Sequence, residues 1–444
     1  MPRSTTTLVL GLWLLLTLIA TGATAAQPPA STPKFDAVHA TDAYLASLTP
    51  AERARSDAYF EGGEWLQLWS FLYGAAVYLV LLMTGLSARL RDVATRITRR
   101  KTLQSVFYWL QFLLVTTILM FPLSIYSGYF REHQYGLSNQ TFGAWGGDEL
   151  KSLLVGAIFG SLLIAALYAV IRRSPRRWWL WGAVTVIAFI TFGAAIGPVY
   201  IAPLFNKYTK LEDPRVRGPI LQMARSNGID AKDVWVVDAS RQSKRISANV
   251  SGLFGTQRIT LNDNLLRRAT LPEIEAVMAH EMGHYVLNHV YKMLVFFGIV
   301  VLVAFAILKY GMEAILRRKG DRWRIEGVAD PAGLPLLALL LSAVMFVFTP
   351  VTNGIIRVQE IEADAFGLNL ARQPDGFATI SLKLGEYRKL APGPVEETLF
   401  FDHPSGRNRI LMAMRWKAEH LEDSEQAPRG STTPSDQQPP EPRQ

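Results

Sequence analysis

The residue types and spacing that could do chemistry concentrate at His280-Glu281-Met282-Gly283-His284, an H-E-x-x-H. Side chains four apart on a helix stand nearly above one another, so both imidazoles can reach one metal ion. Glu281, one position on from His280, falls beside that ion rather than on it. There it suits a base acting on water that the ion activates. The chain has only seven His, so chance rarely produces this spacing with Glu beside the first. The stretch has to be helical, and its start is marked. Thr270-Leu271-Pro272-Glu273 reads as a capping box with Thr270 as N-cap, and Ile274, Val277 and Met278 follow at helical spacing.

A zinc peptidase needs three protein ligands and one open position. A metzincin would carry Gly at 287 and His at 290, but the chain has Leu287 and Val290. His289 is five residues past His284, about 140° round a continuing helix. On that reading it stays off the ligand face and supports the site or the fold. Glu360, in Arg357-Val358-Gln359-Glu360-Ile361-Glu362-Ala363-Asp364, is the best third ligand. Glu360 and Asp364 share a helix face, so one carboxylate can bind metal while the other accepts the free N–H of a ligand His. Glu362 points roughly to the opposite side. Without the upstream motif, these acids would read as a solvated charged face. His403, in Phe400-Phe401-Asp402-His403-Pro404, could donate to an oxyanion opposite the metal. From spacing alone a lone His more often reads as a structural hydrogen-bonding residue.

The elements that position these groups belong to an apolar chain. Of 444 residues, 50% are hydrophobic and 19% charged, a balance outside ordinary globular proteins. The absence of Cys excludes disulfides and thiolate metal sites. The net charge of +9 clusters beside apolar runs, which favours a lipid bilayer over nucleic acid as partner. Residues 1–26 are a signal peptide or a first transmembrane helix, with Ala23-Thr24-Ala25 as a candidate cleavage site. Residues 27–64 form a polar extramembrane segment. Residues 65–203 form a membrane domain of four spans, at Leu66–Leu86, Leu103–Tyr126, Leu153–Ile171 and Trp179–Ile201. Each approaches the ~20 residues that cross hydrocarbon.

A metallopeptidase domain follows over 204–422. It has short strands at Asp233–Val237 and Arg258–Leu261, a Gly-rich turn at Gly252–Gly255, and two further spans at 293–315 and 334–351. From Ile355 to Leu390 an amphipathic helical stretch is expected, and 423–444 reads as a disordered tail. The fold class is therefore mainly α: a polytopic, chamber-forming bundle of six to seven spans with an α+β zincin-like domain.

These motifs together resemble the integral-membrane CAAX prenyl endopeptidases of the type 1 (a-factor-converting) family, over about Arg53 to Lys417. His280 to His284 with Asn288-His289 looks like that family's H-E-x-G-H-x-x-x-N-H. Glu360, Ala363 and Asp364, spaced E-x-x-A-D, match its downstream acidic region. His403-Pro404 with Arg409 matches its H-P motif, and Ala202-Pro203-Leu204-Phe205-Asn206 the entry to its catalytic domain. The resemblance implies one zinc per chain at His280, His284 and Glu360, with Glu281 as general base. It also implies that Asp364 supports a ligand, that His403 stabilises the tetrahedral intermediate, and that seven membrane helices surround a chamber. The family's Asn-Ala-x-x-x-Gly reads here Ser247-Ala248-Asn249-Val250-Ser251-Gly252, so its substrate-contacting Asn does not carry over to Asn249.

The reading is a zinc-dependent membrane endopeptidase acting on membrane-associated or C-terminal peptide segments. Its partners are a peptide or protein substrate and the bilayer. A catalytically silent chaperone that holds clients is the alternative, and the intact Glu281 argues against it. A transporter is a third class, opposed by an ionisable cluster that lies on a polar domain rather than mid-span. Basic loops at Arg89–Lys101, Arg172–Arg177 and Arg317–Arg324 fall on one side of the membrane, and the metal domain on the other. The positive-inside rule then places the metal domain on the periplasmic side of a bacterial inner membrane.

Overall fold

The computed structural model describes residues 35–251 and 258–426. The first apolar run, the Gly252–Gly255 turn and most of the expected tail lie outside those residues.

Helix α1 (Ala37–Ala46) is followed by α2 (Pro50–Met83), α3 (Leu86–Ile97), α4 (Lys101–Ile125), α5 (Phe142–Arg173) and α6 (Trp178–Ile196). The start of α2 is set chemically: Thr49 Oγ1 accepts from the Glu52 N–H while the Glu52 carboxylate accepts from the Thr49 N–H. Part of the segment read as extramembrane is therefore the first turns of a spanning helix. Strand β1 (Tyr208–Lys210), α7 (Pro214–Ser226), β2 (Val234–Val237), β3 (Ala248–Ser251), β4 (Arg258–Asn262) and α8 (Asp263–Arg268) build the polar block. Then come α9 (Leu271–Val286), α10 (His289–Trp323), α11 (Leu334–Ala371), α12 (Pro374–Leu384), α13 (Pro394–Phe400) and α14 (Gly406–Gln426). The last helix carries order a few residues into the stretch read as tail.

Six helices among the described residues are long and apolar enough to cross a membrane: Pro50–Met83, Lys101–Gln134, Phe142–Arg173, Trp178–Leu204, His289–Trp323 and Pro331–Ala371. One buried cluster around Leu81, Tyr108, Tyr168, Trp178, Phe305 and Met312 binds them together. A second, around Ile220, Val234, Ile259, Leu261, Met278 and Met282, fuses the sheet to α9. The sheet order is β1-β2-β4-β3, with β2 and β4 parallel and both outer pairs antiparallel. β3 is thus an edge strand. Polar ties join this block to the spans: Arg245 pairs with Glu132 at 2.8 Å, and Gln242 donates to Asp148 at 3.0 Å.

The amphipathic stretch expected after Ile355 is not a separate element. Its later part is α12, and its first part, to Ala371, is the end of α11, which runs unbroken for 38 residues. At 1.5 Å per residue that is about 57 Å, against about 30 Å of hydrocarbon. The surplus turns project beyond the apolar part, and they carry Glu360 and Asp364. The helix ends where Arg372 adopts φ +52°, so α12 starts in a new direction.

Candidate metal centre

Three ligand-type side chains converge where α9 crosses α11. His280 Nε2 lies 3.1 Å from His284 Nε2 and 3.3 Å from Glu360 Oε2, and His284 Nε2 lies 3.4 Å from Glu360 Oε1. Atoms on a tetrahedral zinc, each 2.0–2.1 Å from it, stand roughly 3.3 Å apart. The triangle therefore fits one such ion at its centre. Glu360 Oε2 is buried with no hydrogen-bond donor among the described residues, a carboxylate oxygen with its lone pairs aimed at this gap. Donors of two nitrogens and one carboxylate, with no sulfur, suit zinc with one position left open.

The close approach of the two helices comes from glycine. A Cβ on Gly367 would meet the His280 backbone N at 2.9 Å, and one on Gly283 would meet the Ala363 Cα and O at 3.2 Å. Without side chains there, the ladders pack backbone to backbone and the ligand atoms close to contact. The start of α9 is held as its sequence requires. The Thr270 N–H and hydroxyl both donate to Glu273, at 2.7 and 3.1 Å. Lys383 of α12 donates to the same carboxylate at 2.7 Å.

Asp364 stands behind His280. His280 Nδ1 comes within 2.7 Å of Asp364 Oδ1, though the ring must turn slightly to aim its N–H along that line. Asp364 is fully buried, and Arg409 of α14 holds it in a two-pronged pair at 2.9 and 2.5 Å. Burial works to lower the His280 pKa, but the Asp364 hydrogen bond and charge more than offset it and raise it to about 9. His284 has no such direct partner, and burial with the His280 charge pushes it down to about 4. Burial lifts the Glu281 carboxyl to about 7, against the pull of His280. A carboxyl poised there can take and return a proton near neutrality.

A cleft of about 210 Å³ opens beside the cluster, lined by Ser247, Ala248, His280, Glu281, Arg388 and His403 among others. His403 Nε2 is 3.3 Å from Glu360 Oε2, and its Nδ1 is 2.7 Å from Asp402 Oδ1, which holds the ring in place. The edge strand β3 forms one wall. The Asn262 N–H donates to the Ser247 carbonyl at 2.9 Å. By antiparallel alternation Asn249 and Ser251 also face β4, leaving the backbone groups of Ala248 and Val250 on the outer edge, which is unpaired among the described residues. Ser247, not Asn249, lines the cleft.

All six residues singled out from the sequence come together here. Two premises need correcting. The helix does not continue through His289: Asn288 takes φ +59°, α9 ends, and His289 opens α10 with Nδ1 at 2.8 Å from His284 Nδ1. Glu362 does leave Glu360's face, yet it meets His289 at 3.0 Å rather than solvent alone. Sequence reasoning also missed Arg409 as the partner of Asp364. The two are 45 positions apart, and no spacing rule links them.

Comparison with known proteins agrees with this geometry. Residues 39–207 match the CAAX prenyl protease N-terminal family, described as five membrane helices, and residues 210–417 match peptidase family M48. In the first region four helices here reach spanning length and apolarity. A Bacillus subtilis protein named uncharacterized metalloprotease YhfN is 30% identical over 396 residues, 88% of this chain and 91% of that one. CAAX prenyl protease 1 of Saccharomyces cerevisiae is 27% identical over 313 residues, covering 67% of this chain and 69% of its own. The crystal structure of S. mikatae Ste24p superposes with a TM-score of 0.71 at 23% identity, over 85% of this chain and 95% of that one. The chain belongs to peptidase family M48, as a multi-pass membrane zinc metallopeptidase with a CAAX prenyl protease-like membrane domain.

Proposed function

We propose that the chain is an endopeptidase that binds one zinc ion through His280, His284 and Glu360 and cleaves membrane-associated or C-terminal peptide segments. The observation that carries this reading is a ligand triangle beside a cleft that His280, Glu281 and His403 line, with a strand edge unpaired among the described residues as one wall. Zinc supplies Lewis acidity, polarising a carbonyl and acidifying water toward neutral pH. A substrate in extended form adds to β3 through the Ala248 and Val250 backbone groups, which holds its scissile bond over the cluster. Glu281 takes a proton from the attacking water and passes it to the leaving amine. His403, held by Asp402 through Nδ1–H, donates Nε2–H to the developing oxyanion as an imidazolium, in which both ring nitrogens are donors. Asp364, braced by Arg409, keeps His280 aimed.

The membrane preference rests on position. Glu360 lies on the turns of α11 just beyond its apolar part, so the site sits close to the bilayer surface. The charge pattern supports a surface outside the cytoplasm, in the periplasm of a bacterial inner membrane. The connections at residues 84–100 and 174–177, and the basic end of α10 from Arg317 to Arg324, would share one side, and the catalytic block would take the other.

The test is hydrolysis of quenched fluorescent peptides, with and without a lipid anchor, by the purified chain in lipid nanodiscs. Turnover that a zinc chelator abolishes and added zinc restores supports the reading. Client binding with no cleavage by any peptide, zinc bound, would leave a holding chaperone instead.

A further inference from the structure

We propose that His289 and Glu362 are positioning residues for the metal, fixing His284 in its Nδ1–H tautomer through a two-step hydrogen-bond chain. The inference rests on reading His284 as a zinc ligand and extends that reading to side chains that touch neither metal nor substrate. His284 Nδ1 and His289 Nδ1 are 2.8 Å apart; His289 Nε2 and Glu362 Oε2 are 3.0 Å apart. Lys292 Nζ donates to the same Glu362 oxygen at 2.7 Å.

Proton counting leaves one arrangement. His284 Nε2 faces the cluster and needs its lone pair to bind metal, so the ring's proton sits on Nδ1 and is donated. His289 Nδ1 must then accept, which puts the proton of that ring on Nε2. Nε2–H donates to the Glu362 carboxylate, which also accepts from the Lys292 ammonium at the same oxygen. His289 is 2% exposed, so neither nitrogen has solvent as an alternative.

The chain gives the second imidazole what Asp364 gives the first. His280 meets its carboxylate directly, and His284 meets one through an intervening ring. Glu360, Glu362 and Asp364, alternating along one helix, serve the ion, His284 and His280 in turn. Glu362 points away from the ligand face, and His289 bridges the difference. It can do so because the αL residue Asn288 ends α9 and starts α10 alongside α11. A carboxylate behind a ligand His fixes the ring's orientation and raises its basicity.

The experiment is zinc titration of the metal-stripped chain against a competing chelator dye, together with peptide kinetics. The variants are His289→Phe, which keeps the ring's bulk, Glu362→Gln and the double variant. His289→Phe should bind zinc on the order of 10–100-fold more weakly. Glu362→Gln should lose less, in the same direction, and the double variant should match His289→Phe because Glu362 acts only through His289. For both, KM should hold while kcat falls. Glu362 is 43% exposed at its side chain, so its variant carries the test if His289→Phe fails to fold. Zinc affinities within twofold of the parent, or strictly additive losses, overturn the chain. His284→Ala is run alongside. If it keeps the parent's affinity, the ligand reading itself falls. If it loses zinc while His289→Phe does not, the failure is confined to the chain.

Discussion

At the scale of single residues, the proposed site would separate holding a metal from moving a proton. His280→Ala, His284→Ala and Glu360→Ala should each lose most bound zinc, whereas Glu281→Gln should keep zinc and lose turnover. Metal analysis of the purified variants checks both halves. Full occupancy in Glu360→Ala would move the third ligand elsewhere. His403→Ala should cost on the order of 10²–10³ in kcat with metal content unchanged, since it removes one oxyanion donor. Normal turnover would leave His403 a structural residue. Arg409 differs from these. Asp364 is 0% exposed, and Arg409→Met would strand its carboxylate without the guanidinium. Breaking such a buried pair costs about 3–5 kcal/mol, so denaturant melts should register the change before any assay does.

At the scale of elements, the crossing of α9 and α11 sets the distance between ligands. Gly367→Ala would drive a Cβ to 2.9 Å from the His280 backbone nitrogen. The helices must then part, at a cost of about 1–3 kcal/mol, and zinc affinity should fall although no ligand has changed. Unchanged affinity would show that the crossing has slack. The start of α9 is a second lever. Burial opposes ionisation of Glu273, but the Lys383 hydrogen bond and the Thr270 N–H outweigh it and hold its carboxyl below the usual range. A depressed carboxyl stabilises the fold above its unfolded pKa of about 4.3 and loses that contribution as pH falls. Glu273→Ala should therefore cost about 1–2 kcal/mol at neutral pH. The gap from the parent should narrow below about pH 4. A constant gap across that range would assign the loss to packing.

At the scale of the whole molecule, crossing by the six candidate spans would put residues 37–49, the sheet domain and α12 to α14 on one side. Among the described residues, the other side would hold the short connections 84–100, 174–177 and 324–330, with Arg and Lys concentrated in the first two and at Arg317 to Arg322 on the end of α10. With positive charge retained in the cytoplasm, a C-terminal alkaline phosphatase fusion should be active and a green fluorescent protein fusion dark. The reverse pattern would return the active site to the cytoplasm.

The sequence by itself determined whatever depends on local spacing. H-E-x-x-H at i and i+4, the Thr270–Glu273 cap and the E-x-x-x-D face each follow from helix geometry alone. Apolar runs near the thickness of a bilayer identify spans without any tertiary contact. Even the choice of Glu360 required only that two acids share a face. What only the tertiary structure decided are contacts between distant segments and breaks in backbone direction. Arg409 reaches Asp364 because α14 packs beneath α11, and no periodicity encodes that. Asn288 in the left-handed region turns His289 back onto His284, whereas a continuing helix would have carried it away. The length of α11 was hidden too. The polarity change near Ile355 looks like a boundary in sequence, yet the helix crosses it intact. Its hydrogen-bond ladder does not depend on whether the side chains meet lipid, protein or water.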